Sequence, residues 1–356
     1  MKLLLFSRYS RKGASSRLRS FQYLPFLEKN NITVCVNTLF DDQYLQTIYS
    51  GNRKKWLSII KAYLFRLVML LKVWKFDLIW IEKEIFPWAP AWIEQALGVL
   101  KIPYIVDYDD AIFHKYDLNK SKFIRWGLGA KIDKVMKHAK LVIVGNEYLA
   151  QRALNAGAKW VEHMPTVVDM DRYRFDNNKK KVNMFTIGWI GTPKTAMYLR
   201  YIESALKHIC SEVNVRLLLI GSGPVEISGI NIEIHGWSEV TEVEEIGLID
   251  VGIMPLPDEP WERGKCGYKL IQYMACGKPV VASPVGVNKN IVEHNITGIL
   301  ADTDDEWINA LESMMKDHNL CKKMGRAARI KIEREYSLED ASKKMITLLQ
   351  QAVSIS

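Results

Sequence analysis

Short apolar runs of strand type alternate with helical patterns along nearly the whole chain, and few folds accept that rhythm. In the first half the runs are 2–6, 33–37, 78–81, 104–107 and 141–145, with helical periodicity over roughly 16–29, 53–75, 88–99, 121–138 and 147–156. The second half repeats the rhythm, with runs at 185–190, 216–220, 232–235, 251–254 and 279–282. Strands separated by helices cannot close as hairpins, so they pair in parallel with helices on both faces. The chain is therefore expected to be α/β, and 356 residues suit two such domains better than one. The boundary falls in 164–181, where Pro165-Thr-Val-Val-Asp169 and Asp176-Asn-Asn-Lys-Lys-Lys181 read as linker.

Composition narrows the function classes. With 48% hydrophobic residues and only 12 prolines, the chain has ample core and no disordered character. Its five cysteines are scattered, with no CxxC or Cys/His spacing, which argues for a reducing compartment and against a structural zinc site. The apolar start, Met1 to Phe6, stops at Ser7-Arg8 and reads as a first strand rather than a signal-peptide core. No run approaches the roughly 18–20 apolar residues of a membrane span. Residues 1–181 carry 31 Lys and Arg against 17 Asp and Glu, a balance of +14; the remainder carries 18 against 23, or −5, and the two sum to +9. The basic first half is expected to face something anionic. No helix-turn-helix, zinc-finger or RNP-type pattern points to nucleic acid, so a phospholipid surface or a phosphate-linked lipid fits better.

The densest chemical signal is Gly264–Ser283. A glycine-containing loop opens a helix in which Leu270, Ile271, Met274 and Ala275 recur at helical spacing. Gly277 suits its C-terminal cap, and Pro279-Val-Val-Ala282 follows as an interior strand. Lys265 and Lys269 stand four apart, which predicts one helix face. Free backbone N–H groups, a positive dipole end and two ammonium groups would together hold a diphosphate. This text resembles the donor-site helix of GT-B glycosyltransferases, in particular glycosyltransferase family 4. Asp250-Val-Gly-Ile-Met-Pro-Leu256 resembles the strand before that helix, and the Pro165…Asp169…Tyr173 spacing resembles the interdomain segment, with Thr166-Val167 in place of Asn-Gly. The likeness covers most of the chain and is strongest over 184–340.

The resemblance implies two Rossmann-like domains facing across a cleft, with these boundaries: 1–168 on the acceptor side, 169–181 as linker, 182–335 binding donor, and 336–356 as a C-terminal helix crossing back. Open parallel sheets bind ligands beyond the carboxyl ends of their strands, so the loops leaving strands are the ones of interest. Gly191-Thr192-Pro193 leads into a helix, with Thr192 suited to the N-cap and Pro193 to the first turn. By resemblance this is a phosphate loop, although a plain helix entry reads the same way. The family's arginine and lysine for the diphosphate do not stand in their usual places, leaving Lys194, Lys265 and Lys269 as substitutes. The family's Glu-x7-Glu pair registers on Gly264 and Gln272. Gln272 retains hydrogen-bonding capacity for a ribose, Gly264 offers backbone alone, and Glu262 is the nearest carboxylate for the sugar. Gly221-Ser222-Gly223 and His235-Gly236-Trp237 fall where the family lines the base, with Trp237 as the stacking candidate.

In the first half, Tyr9–Arg19 resembles the family's flexible glycine loop, with Gly13, Arg17 and Arg19 toward phosphate or acceptor, although solvated arginines on a helix start read the same way. The loop Asp107-Tyr-Asp109-Asp110-Ala-Ile-Phe-His114 crowds three carboxylates, so at least one is expected to have a role or a basic partner. Asp109, Asp110 and His114 are the catalytic candidates, against a reading as loop hydrogen bonds. Residues 43–76 contain no acidic side chain. Their helical stripe of Trp56, Ile59, Ile60, Tyr63, Leu64, Leu67, Leu71 and Trp74 is expected to pack on the core. Arg53, Lys54, Lys55 and Trp56, with Phe65, Val68 and Met69 off the stripe, read as an interfacial membrane surface, against a helix merely covered by the other domain.

The implied function is retaining transfer of a sugar from a nucleotide-sugar to a saccharide or lipid-linked saccharide in cell-surface polysaccharide biosynthesis. Such an enzyme would act in the cytoplasm, peripheral on the inner face of the membrane, with no cofactor, no metal and no nucleic-acid partner. Two alternatives stay open: a non-catalytic subunit of the same fold that binds nucleotide-sugar or lipid, favoured by loss of the glutamate pair, and a nucleotide-sugar epimerase.

Overall fold

The structure, a computed structural model, describes residues 1–49, 56–173, 184–212 and 214–354. Two six-stranded sheets, each parallel throughout, organise it. The first contains β1 (Lys2–Tyr9), β2 (Thr33–Phe40), β3 (Leu78–Glu82), β4 (Tyr104–Tyr108), β5 (Leu141–Val144) and β6 (Val161–His163), in the order β2-β1-β3-β4-β5-β6. The second contains β7 (Phe185–Ile190), β8 (Val215–Ile220), β9 (Ile232–His235), β10 (Val251–Met254), β11 (Val280–Ala282) and β12 (Gly298–Leu300), in the order β12-β11-β10-β7-β8-β9.

The expected runs all become strands, because a parallel strand covered on both faces must be apolar along its length. Every residue of β3, β4 and β5 is buried. The sequence reading missed β6 and β12, three-residue edge strands too short to register as runs. The helix expected over 16–29 is broken: Ala14–Arg19 ends, a 3-10 turn spans Phe21–Tyr23, and Leu24–Lys29 restarts with Pro25 in its first turn. The helix expected over 121–138 divides into Lys122–Leu128 and Lys131–His138, and Asp42–Tyr49 adds a helix that was not anticipated.

Two compact units divide the chain. The first is Met1–Thr166 with Arg263–Cys266 and Glu339–Ser356; the second is Val167–Glu262 with Gly267–Leu338. The short return of 263–266 to the first unit has no counterpart in the sequence reading, which gave 182–335 to the donor domain as one piece. Asn146 fastens it: the Asn146 side chain caps helix Glu147–Asn155 by accepting from the Leu149 N–H, and its amide donates to the carbonyls of Gly264 (2.9 Å) and Lys265 (3.0 Å).

In each sheet the chain reverses its direction of travel once, and the loops beside that point are where a ligand is admitted. The reversal lies between β1 and β3 in the first unit and between β7 and β10 in the second. At the latter, Tyr273 from the helix Tyr268–Ala275 reaches between the strands. Its hydroxyl accepts from the Ile190 N–H (2.8 Å), replacing a ladder bond where β7 leaves β10. No helix among the described residues is long and apolar enough to cross a membrane.

Candidate functional site

In the second unit, three strands end in glycine-containing loops that pack on one another. A Cβ added at Gly221 would lie 2.6 Å from the Gly191 carbonyl oxygen and 2.8 Å from Trp237 Cβ. One added at Gly191 would lie 2.9 Å from Lys269 Cε. Gly191, Gly221, Trp237 and Lys269, read separately from four segments, therefore converge at the carboxyl ends of β7, β8 and β9. The Lys269 ammonium stands 5.0 Å from the centroid of the Trp189 ring, a cation–π placement that pre-orients it over the exit of β7.

Two expectations about the helix starts are corrected. The helix behind Gly264 begins only at Tyr268, after Gly267 in left-handed conformation, so Lys265 is not on the face of Lys269 but three residues ahead of the helix, in the first unit. That helix ends as foreseen around Gly277, whose φ of 65° lets its N–H reach Met274 while Lys278 reaches Tyr273. Thr192 is not an N-cap. Its carbonyl closes a turn with the N–H groups of Thr195 and Ala196, a 3-10 helix runs Ala196–Ile202, and the α-helix starts at Glu203. Lys194 is exposed on that turn.

A residue the sequence reading passed over organises the Trp237 side of this cluster. Glu242 is buried; its Oε2 accepts from Trp237 Nε1 (2.6 Å), and its Oε1 accepts from Arg172 (2.9 Å) and from the Tyr173 hydroxyl. Gln272 joins the same network by donating to the Tyr173 hydroxyl (3.2 Å). Gln272, the residue expected to hydrogen-bond a ribose, is thus buried with its amide nitrogen engaged. Glu262 is likewise buried and accepts from the Tyr198 hydroxyl. Burial pushes the Tyr173 phenol well above its ordinary range, so it serves this network as a neutral donor.

In the first unit the crowded carboxylates each have a basic partner. Arg19 holds Asp107 through two bonds (2.8 and 2.9 Å) and donates to the Met164 carbonyl. Arg19 is buried and held by Asp107, which corrects its reading as a charge offered to a ligand; Arg17 is buried as well. Lys83, in left-handed conformation (φ 66°) just after β3, places its ammonium 2.7 Å from Asp109 and 3.2 Å from Asp110. Burial opposes the charged forms of both Lys83 and Asp109, yet their pairing wins: the Lys83 pKa stands above its usual value and the Asp109 pKa below it. Such backbone strain persists where surrounding structure enforces it. Gly13 precedes helix Ala14–Arg19, whose first-turn hydroxyls bond Asp109 (from Ser15) and Glu82 (from Ser16, 2.6 Å). At His114, the third catalytic candidate, Nδ1 bonds Asp117 (2.9 Å) and Nε2 bonds the Tyr148 hydroxyl (2.7 Å), so both ring nitrogens are engaged. Gly264 sits so tightly that an added Cβ would lie 2.4 Å from Ala111 Cβ and 2.8 Å from its backbone nitrogen. Among the described residues no group of three or more His, Cys, Asp and Glu side chains is placed to hold a metal ion.

Residues 184–317 match the family described as glycosyl transferases group 1. N-acetyl-alpha-D-glucosaminyl L-malate synthase of Bacillus anthracis is 26% identical over 149 residues, covering 39% of this chain and 38% of that protein. Sucrose-phosphate synthase of Thermosynechococcus elongatus superposes with a TM-score of 0.77 at 15% identity, covering both chains completely. Anabaena HepE in complex with UDP-glucose gives a TM-score of 0.73 at 14% identity, covering 99% of this chain and all of that one. The two parallel-sheet units are those of the GT-B glycosyltransferase fold. Within the matched residues lie Gly191, Lys194, Gly221, Trp237, Glu242, Glu262, Lys265, Lys269 and Gln272.

Helix Trp56–Leu70 also departs from expectation. The side that packs on the core carries Tyr63, Arg66, Met69 and Leu70, while Trp56, Ile60, Leu64, Leu67, Leu71 and Trp74 of the predicted core stripe are exposed. Arg66 explains the rotation. Its buried guanidinium donates to the carbonyls of Ser7, Asn37 and Ile85 and to the Asn37 side chain, pinning the helix to the ends of β1, β2 and β3. Burial lowers its pKa to about 9. The membrane candidates Arg53, Lys54 and Lys55 lie outside the described residues.

Proposed function

We propose that this chain is a retaining glycosyltransferase that moves a sugar from a nucleotide-sugar to a saccharide or lipid-linked saccharide at the inner face of a membrane, in cell-surface polysaccharide biosynthesis. The observation that carries the reading is the convergence of Gly191, Gly221, Trp237 and Lys269 at the reversal point of the second sheet, within the residues that match glycosyl transferases group 1. Bare glycine backbone leaves room for a diphosphate, the Lys269 ammonium opposes its charge, and the Trp237 ring, held by Glu242, offers a face to a base. The UDP and UDP-glucose complexes of HepE support a uridine nucleotide as donor.

Catalysis in this reading is electrostatic. Charge builds on the departing diphosphate as the glycosidic bond breaks, and a pre-oriented ammonium with helix-start N–H groups stabilises that charge more than the ground state. Asp109 and Asp110, fixed by Lys83, are the carboxylates that would position an acceptor hydroxyl. No metal is assigned, so turnover should continue in EDTA. A second reading, a nucleotide-sugar-binding subunit without turnover, is favoured by one feature: neither position of the glutamate pair is filled by a carboxylate, and Gln272 is tied to Tyr173. Release of UDP from UDP-sugars, measured with and without a lipid-linked saccharide acceptor, separates the two. Acceptor-dependent release supports transfer; nucleotide binding without release supports the subunit.

A further inference from the structure

The first unit exposes a second aromatic element that the sequence reading did not single out. In helix Lys122–Leu128 no residue is buried, and Phe123 and Trp126 are 86% and 91% exposed. Ile124 and Leu128 are the side chains that hold it to the core. Lys120, Lys122 and Arg125 are exposed beside these rings, and residues 118–132 contain no acidic side chain. Two bulky aromatics held in water on a short helix gain nothing for folding. Set among cations, they have the composition of an interfacial membrane contact.

A continuous path of contacts joins this element to the exposed helix Trp56–Leu70. The Tyr63 hydroxyl donates to the Pro87 carbonyl (2.6 Å), and its ring lies 5.1 Å from that of Phe86. Next along the chain, Trp88 stands half-exposed with φ of 64°, edge-on to Tyr116 and capped by the Lys115 ammonium at 4.3 Å. Lys115 and Tyr116 belong to helix His114–Asp117, which packs against Lys122–Leu128. Both ends of this path are acid-free and basic: 43–76 at one, with exposed Lys61, Lys72 and Lys75, and 118–132 at the other.

We infer that helix Lys122–Leu128 is a second membrane-docking element, inserting Phe123 and Trp126 into an anionic lipid surface alongside helix Trp56–Leu70. Two separated contacts fix the orientation of the first unit on the bilayer, where one helix would leave it free to swing. The inference deepens the membrane part of the proposed function and rests on it.

The test uses the full chain and vesicles of phosphatidylcholine with or without phosphatidylglycerol, read by co-sedimentation. Three proteins are compared: wild type, Phe123→Ser with Trp126→Ser, and Trp56→Ser with Leu64→Ser. All four positions are exposed, so the fold should stand, and circular dichroism checks it. Wild type should bind the anionic vesicles, and each double variant should partition about tenfold more weakly, the scale of withdrawing apolar side chains from lipid. UDP release with a water-soluble acceptor should be unchanged in both. Unchanged partition of the Phe123/Trp126 variant overturns the inference, as does equal wild-type binding to neutral vesicles. Sedimentation velocity showing a dimer that the Phe123/Trp126 variant dissolves also overturns it, assigning the patch to a second copy. Vesicle binding that follows the expected pattern in a protein without sugar transfer would leave the docking surface standing and remove the transferase reading instead.

Discussion

Lys83→Met tests whether the acidic loop of the first unit is held by its lysine. Methionine keeps the length and apolar stem of the side chain and the same left-handed backbone, so the change isolates the ammonium. That group is 7% exposed and lies 2.7 Å from Asp109, whose side chain is 15% exposed, and 3.2 Å from Asp110, which is 36% exposed. The Asp110 pairing is open to water and adds little. Removing one partner of a buried pair costs about 3–5 kcal/mol, and the partial access at Asp109 favours the low end, about 3 kcal/mol or roughly a hundredfold in opening equilibrium. The pH dependence gives an independent check. In wild type, Asp109 titrates below its ordinary value of 3.8; its contribution is complete above that value and fades as pH falls through the depressed one. Without the lysine, burial is opposed only by the Ser15 hydrogen bond and the Arg19 charge; the carboxyl pKa should then rise above the unfolded value, so protonation relieves the defect. The gap between the two proteins should therefore narrow as pH falls from 7 toward 4. Urea unfolding read by amide exchange in peptides covering β3 and β4 follows this unit by itself. A difference under about 1 kcal/mol at pH 7, or one that is constant down to pH 4, would refute the reasoning.

Three further outcomes follow from the same geometry. Glu242→Gln turns one acceptor toward Trp237, Tyr173 and Arg172 into a donor, and should destabilise the second unit by about 1–3 kcal/mol and weaken UDP binding; an unchanged urea midpoint by tryptophan fluorescence contradicts it. Gly264→Ala must displace the Ala111 backbone and should cost about 1–3 kcal/mol, measured by amide exchange at β4, where no change would mean the loop gives way freely. His235, bonded to Glu245 and Glu233, has its pKa raised above 6.5. Its stabilisation is complete below that value and is lost as pH rises through the higher folded one; Glu245→Gln should flatten that slope, and a slope that persists in the variant points elsewhere.

How far the sequence could be read follows from what kind of signal each feature leaves. Strands such as β4, β5 and β8 are buried on both faces, so composition alone marks them. Glycines at strand exits and the Gly277 cap are local conformational requirements and are equally visible. The pieces that were missed depend on partners far away in the chain. Arg66 reads as one more surface cation until Ser7, Asn37 and Ile85 are seen to surround it, and it turns the helix so that the apparent core stripe faces outward. Glu242 is one of several acids in its segment, and only folding brings Arg172, Tyr173 and Trp237 onto it. Lys265 and Lys269 have helical spacing, yet the left-handed Gly267 starts the helix between them.

The central claim, that the second unit holds a nucleotide diphosphate through Lys269, is tested most directly by titrating UDP into wild type, Lys269→Ala and Lys265→Ala in a calorimeter. Wild type should bind. Lys269→Ala should bind more weakly by about 1.5–3 kcal/mol, the worth of a hydrogen bond to a charged group, or roughly ten- to a hundredfold in Kd. Lys265 stands outside the converging cluster, so its variant should lose less. Equal affinity in wild type and Lys269→Ala, or no binding of UDP by a folded wild type, would contradict the account.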